Sequence, residues 1–258
     1  MMTPYELSVR RAKNWKESAK KIWKTQLIIL ILTVVAVVIG VGAAVIGAAI
    51  DSMVILVFGA CIAALIFIVV YVFQWIFTNR VRDLSYDAPK EDKKHIEHLA
   101  TALVMGLVAG LVSGVASALV EYAEIVGMII QCIGSIVALV ALVMQIIAFV
   151  KLSCSKTLPV LAKKGAKSMI IYYIVYFVTM VISIITLVMG FVIADIGEIS
   201  VIGVILAVVG GFIMMVGYVV AMFMYYRAWW LISKSELDVL PEFEPEEYDV
   251  YATQISVE

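Results

Sequence analysis

QLIILILTVVAVVIGVGAAVIGAAI (residues 26–50), then Asp51 and Ser52, then MVILVFGACIAALIFIVVYVFQWIFT (residues 53–78): two uncharged apolar runs joined by a two-residue turn decide the fold. Each run exceeds the about 20 apolar residues that, at 1.5 Å rise per residue, cross roughly 30 Å of hydrocarbon. The runs are continuous rather than alternating, and far longer than the about 10-residue strands of a membrane barrel, so they read as helices. A turn this short makes the two helices antiparallel neighbours.

Four more runs follow, at 99–120, 125–150, 169–194 and 199–226. The segment 99–120 is the shortest and is rich in Gly and Ala. It reads as a span, with a buried or re-entrant helix as the alternative. The 258 residues are 64% hydrophobic and 15% charged, with a mean hydropathy of +1.08. A soluble domain of this size carries far more polar surface. The expectation is an all-α polytopic integral membrane protein of six transmembrane helices in three tandem hairpins. The organisation expected is a basic helix at 1–24, hairpin 1 with its linker at 25–98, hairpin 2 with a basic linker at 99–167, hairpin 3 at 168–234, and an acidic tail at 235–258.

The charges orient this plan. All nineteen Lys and Arg residues fall in alternate gaps between the runs. Seven precede the first run, from Arg10 to Lys24. Five lie between the second and third, from Arg80 to Lys94. Five lie between the fourth and fifth, from Lys151 to Lys167, and Arg227 and Lys234 follow the sixth. The other gaps hold only Asp51, then Glu121 and Glu124, then Asp195 and Glu198. Basic residues beside spans are retained in the cytoplasm, so both termini are expected there, in a cell-membrane protein.

Spacings suggest an internal triplication. Ala36, Gly40, Ala44 and Ala48 recur 70 positions later as Gly106, Gly110, Gly114 and Ala118. In the second helix of each hairpin the offset is 71: Cys61 matches Cys132, Gln74 matches Gln145 and Arg80 matches Lys151. From the second unit to the third it is 76, pairing Gly127 with Gly203, Gly134 with Gly210, and Lys151 with Arg227. Each unit holds two spans, so the copies share one orientation, as parallel repeats do.

Ala102, Gly106, Gly110, Gly114 and Ala118 form a stripe at four-residue spacing on the third helix. Such stripes let backbones approach closely where lipid offers no hydrophobic drive for pairing. Packing within the monomer is the simpler use of it, self-association the other. Trp15, Trp23, Arg80, Lys151 and Arg227 are expected as interface anchors. Residues 5–24 read as an amphipathic helix, with Tyr5, Val9, Ala12, Trp15, Ala19, Ile22 and Trp23 on one side. It is expected to lie in the interface on anionic lipid, or alternatively to pack on the bundle. The tail after Lys234 is acidic, with Pro241 and Pro245, and reads as solvated chain or as a docking peptide.

Few groups carry chemistry. No Asp, Glu, Lys, Arg or His lies well inside a run, which removes the usual marks of proton relays and ion sites. Gln74, Gln131, Gln145, Ser113, Ser117, Ser135, Thr179, Ser183 and Thr186 are expected to bond between helices at roughly 0.6–2 kcal/mol each. His95 and His98 with Asp87 or Asp92 resemble part of a metal site but lack a third committed ligand. The run Lys163-Lys164-Gly165-Ala166-Lys167-Ser168 ends like a phosphate loop without the upstream glycine framework. Cys61, Cys132 and Cys154 form no CxxC. Catalytic, cofactor-binding and metal residues are therefore expected to be none, and nucleic acid is not an expected partner.

A three-hairpin plan is shared with mitochondrial carriers, but their Pro-x-Asp/Glu-x-x-Lys/Arg signature is missing from every odd helix. Two functions remain. One is a non-enzymatic scaffold, assembly factor or regulatory accessory subunit, with the bilayer and a homo-oligomer or membrane-protein partner as its contacts. The other is a small-solute channel or permease built from the repeated hairpins.

Overall fold

The computed structural model describes residues 3–120, 123–194 and 200–239, excepting the side chains of 191, 193–194, 200–202 and 207. The turn residues Glu121, Asp195 and Glu198 and the acidic tail beyond Val239 lie outside these described residues. Six helices account for most of the chain: α1 Pro4–Ala49, α2 Met53–Asp87, α3 Lys90–Val120, α4 Glu124–Cys154, α5 Val160–Ala194 and α6 Ser200–Ser233. All six are long and apolar enough to cross a membrane, α3 included. This is the architecture of a multi-pass membrane protein.

The helix ends follow local chemistry. Thr3 caps α1 through a capping box, its hydroxyl accepting from the Glu6 backbone while the Glu6 carboxylate accepts from the Thr3 backbone. Each odd helix begins at a proline: Pro4 opens α1, and Pro89 and Pro159 stand immediately before α3 and α5. Proline suits the first turn, where its missing N–H costs nothing. The turn from α1 to α2 puts Asp51 at φ 50°, in the left-handed region. The Ser52 N–H then reaches back to the Gly47 carbonyl at 2.8 Å, the long bond of a Schellman end.

Residues 5–24, expected as a separate interfacial helix, are instead the first turns of α1. With no break between them and the apolar run, this helix has 46 residues and is about 69 Å long. Trp15, Ala19 and Ile22 are buried in the bundle. This central part of the apolar stripe packs on the bundle, the alternative expected for the segment, while Val9 nearer its start stays exposed.

The helices pair in chain order, α1 on α2, α3 on α4 and α5 on α6, and each pair is antiparallel. Gly47 meets Leu56 while Gly40 meets Ala63; Gly127 meets Val120 while Gly134 meets Ser113; Gly210 meets Leu187 while Gly165 meets Ala228. Smaller contacts join α2 to α3, α4 to α5 and α1 to α6, so the six helices close a ring.

Within the pairs, buried residues are small and recur every seven positions. Ala102, Ala109 and Ala116 of α3 face Gly127, Gly134 and Ala141 of α4. Ser183 and Gly190 of α5 are matched by Gly203 and Gly210 of α6. A seven-residue repeat is the period of left-handed supercoiled packing. Away from the charged segments, each helix carries many exposed apolar residues, such as Val38 and Val45 of α1 and Phe58 of α2.

The charged segments all belong to the same end of the ring, here the basic end. There the helices share one core that includes Trp15, Ile22, Phe77, Leu84, Ile96, Phe149, Leu158, Ala162 and Trp229. Gly165 is required at this level: a Cβ there would stand 2.7 Å from the Ala228 carbonyl oxygen and from an Ile232 side-chain carbon. Gly165→Val is expected to lower stability by about 1–3 kcal/mol. Gly114→Ala, whose Cβ meets nothing within 4 Å, is expected to raise it by up to about 1 kcal/mol through helix propensity. Unfolding midpoints in mixed detergent micelles read both.

Candidate functional site

Two places gather polar groups: the core at the basic end and a cavity between the first two helix pairs. The core is centred on aromatic rings of the even helices, with Trp15 of α1 beside them. Phe77 of α2 stands edge-on to Trp229 of α6 at 5.0 Å between ring centres, and Phe149 of α4 packs on the same indole at 6.2 Å. Tyr225, Tyr172 and Tyr173 extend the cluster. Such edge-to-face pairs add about 0.5–1.5 kcal/mol each beyond burial. Residues from all six helices enclose a void of about 30 Å³ here, space for little more than a water.

Polar bonds fasten the edges of this core. The Trp15 indole N–H donates to Ser235 Oγ at 2.9 Å, and that hydroxyl donates to the Ile232 carbonyl at 2.6 Å. Lys16 pairs with Glu236 at 2.5 Å. The segment after α6 is thereby tied to the start of α1. The Lys16 ammonium, by hydrogen bond and charge, with a further contribution from Lys20, holds the exposed Glu236 carboxyl below its ordinary value. Asp92 is buried at the start of α3 and accepts from Ser155 Oγ at 2.8 Å and Thr157 Oγ1 at 2.5 Å. It binds the linker between α4 and α5 to α3.

The expected anchors divide. Trp15 is 1% exposed, a core residue rather than an interface residue. Trp23 is half-buried, edge-on to Tyr226 at 6.4 Å. Arg80 is half-buried; its guanidinium donates to the Lys21 carbonyl at 2.8 Å and to the Thr25 hydroxyl, joining α2 to α1. Lys151 and Arg227 are exposed. Of the five-residue stripe, Ala102 is buried and Gly106 is half-buried beside Gln145. Gly110 lies under the Tyr71 hydroxyl, Gly114 has open space, and Ala118 is exposed. The buried face of α3 instead follows Ala102, Ala109 and Ala116. The seven-residue recurrence that would have found it is in the sequence, but the glycines drew attention to the neighbouring face.

The polar residues of the runs bond across helices less than expected. Ser117, Ser135 and Thr186 donate to carbonyls four residues back on their own helices, the local option open to any hydroxyl in a helix. Gln145 does cross: its Nε2 donates to the Ala102 carbonyl at 3.4 Å, and its Oε1 accepts from Tyr173 of α5 at 2.5 Å. Gln26 is 1% exposed, and neither atom of its amide has a hydrogen-bond partner.

The second place is a cavity of about 350 Å³ among α2, α3 and α4, lined by Phe67, Val70, Tyr71, Gln74, Thr78, Leu103, Gly106, Leu107 and Gln145. Among the described residues no group of three or more His, Cys, Asp or Glu comes together. Asp87, considered with His95 and His98, accepts from Asn14 at 3.3 Å, and Asp92 is committed to Ser155 and Thr157. Compared with family models, with curated proteins and with solved structures, the chain matches none.

Three variants test this geometry. Trp15→Ala is expected to cost about 3–5 kcal/mol, as loss of a large buried ring does. Gln26→Leu is expected to raise the unfolding midpoint, because it removes a buried amide left without partners. The depressed Glu236 carboxyl stabilises the fold at neutral pH, and that contribution goes as pH falls through the carboxylate range. Glu236→Gln is accordingly expected to flatten part of the acid side of a midpoint-against-pH curve.

Proposed function

We propose that this chain is a non-enzymatic multi-pass protein of the cell membrane, acting as a scaffold, assembly factor or regulatory accessory subunit with cytoplasmic arms. The observation that carries the reading is the aromatic core: six helices converge on apolar side chains around a void of about 30 Å³. A ring closed in this way at one end supports a packing role over solute passage. The described spans contain no ionisable pair aimed at a pathway, and the polar bonds of the basic end join segments to one another.

The same reading takes the six helices as three tandem hairpins with both termini cytoplasmic. Confinement of the Lys and Arg residues to the basic end supports that orientation. The pairing in chain order supports a repeated hairpin unit. Exposed Lys151 and Arg227 are the anchors placed to meet anionic lipid. The packing stripe Ala102, Gly106, Gly110, Gly114 and Ala118 keeps its open part, Gly114 and Ala118, for a second copy or another membrane protein. The alternative, a small-solute channel or permease, draws support from the cavity beside α3, with its two amides and a phenol.

Purified protein in liposomes decides between the two. Glycerol and urea flux, followed by light scattering, is expected to equal that of empty liposomes. Flux above that level, abolished by a bulky residue at Gly106, would establish the permease. A membrane-impermeant maleimide tests orientation on the exposed Cys154: labelling is expected in inverted vesicles and not in intact cells.

A further inference from the structure

The cavity among α2, α3 and α4 differs from an ordinary groove between lipid-facing helices in what lines it. Tyr71, Gln74 and Gln145 give it two amides and a phenol, while Phe67, Leu103 and Leu107 give it apolar walls. No Asp, Glu, Lys, Arg or His lines it, so a charged ligand would find no counter-charge and would bear its desolvation alone. The Gln74 amide and the Tyr71 hydroxyl make no hydrogen bond to the protein, although both are half-buried within the run 53–78. In hydrocarbon an unmet amide costs several kcal/mol, so the site favours an occupant that can bond to it.

Comparison with the next junction shows that such a cavity is not forced by the fold. At the α4–α5 junction the Gln145 amide is met by Tyr173 of α5 at 2.5 Å. At the α2–α3 junction the cavity wall opposite Gln74 is formed by Leu103 and Gly106 of α3. A leucine and a glycine leave open the space that a tyrosine fills one junction later.

Depth selects the ligand further. Gln74 lies six residues before Arg80, about 9 Å along the helix. With Arg80 at the headgroup level, Gln74 stands just inside the hydrocarbon of the same leaflet, below the ester groups. A lipid reaches it only by sinking its glycerol into the cavity, which an uncharged headgroup allows and a phosphate does not. Phe67, 43% exposed, marks the side open to lipid chains. A volume of about 350 Å³ falls in the range of small-molecule sites.

We propose that this cavity binds one neutral glycerolipid of the diacylglycerol type. Its free hydroxyl and ester carbonyls bond to Gln74 and Tyr71, and its acyl chains leave past Phe67 into the bilayer. The hydroxyl gives the donor that the Gln74 carbonyl needs, and the ester carbonyls accept from the amide and the phenol. The inference stands apart from the scaffold reading and uses only the position of the helices in a membrane.

The test uses the full chain in phosphatidylcholine nanodiscs containing a few mole per cent of a photoreactive diacylglycerol. Labelled peptides are mapped by mass spectrometry. Labelling is expected to concentrate on α2 around Phe67 and α3 around Leu107. Unlabelled dioleoylglycerol is expected to compete, and additional phosphatidylcholine or phosphatidylglycerol is not. Gln74→Leu is expected to weaken capture about tenfold, the effect of one lost hydrogen bond at a buried polar site. Gly106→Leu should abolish capture by filling the space, and an unfolding midpoint no lower than that of the wild type shows that either variant has kept its fold. Labelling spread over all lipid-facing helices, or equal in wild type and Gln74→Leu, overturns the proposal. Equal competition by phospholipid also overturns it, because the site would then be ordinary lipid contact. Liposome flux is read separately, so failure here leaves the scaffold reading as it was.

Discussion

Lipid gives two apolar helices no hydrophobic reason to pair, and every other feature of this molecule depends on how that difficulty is met. The means is close approach of backbones at small residues spaced seven apart. At Gly127 the constraint is plain, since a Cβ there would lie 2.6 Å from the Val120 backbone nitrogen. Dispersion contact between closely set backbones takes the place of hydrophobic drive. Residues such as Ala109, Gly134 and Gly210 therefore hold the pairs together while offering nothing to a third helix. Pairs, rather than a uniform bundle, are the natural product.

The joining of the pairs needs a different medium. Beyond the hydrocarbon, water restores the hydrophobic effect, and large side chains become useful again. The chain places Trp15 and Trp229 at the basic end outside the apolar runs, and Phe77 and Phe149 in the last residues of theirs, where the helices leave the hydrocarbon. The unbroken α1 serves this purpose. Its first twenty residues add a face of Trp15, Ala19 and Ile22 to the shared core, and they carry the hydrogen bond and ion pair that hold Ser235 and Glu236. Pairing within the apolar runs and joining at the basic end are thus separate physical tasks given to separate residues.

That separation explains what the sequence made legible. Run length and hydropathy report on the solvent of each segment, so six helices and their order could be read directly. The linkers were readable because Lys and Arg gather in the gaps 79–98 and 151–167. The fate of residues 5–24 was not, because an amphipathic face states only that something apolar will cover it. Lipid and the other helices are equivalent on that criterion. Trp15 shows the ambiguity, since a tryptophan beside lysines reads as an interface anchor and is here 1% exposed. The stripe on α3 has a similar history. Spacings of four and seven residues share Ala102, and only the partner helix selects between them. The cavity was beyond reach for a third reason, as it exists through the small size of Gly106 opposite Gln74, a relation between helices that no single segment encodes.

The unmatched polar groups differ in consequence because they differ in access. Gln26 and Gln74 each present an amide without a protein partner. Gln26 is enclosed by the bundle at 1% exposure, so no ligand reaches it, and its desolvation cost stays with the fold. Gln74 stands at a cavity with an open side, where a ligand can offset the same cost on binding. Gln145, six residues from Lys151 as Gln74 is from Arg80, is satisfied by Tyr173 and Ala102. Three glutamines in similar apolar runs are therefore a structural liability, a recognition group and a helix-to-helix tie. Residue type is shared by all three, and distance from the basic anchor by Gln74 and Gln145; what distinguishes those two is the packing of the neighbouring helix.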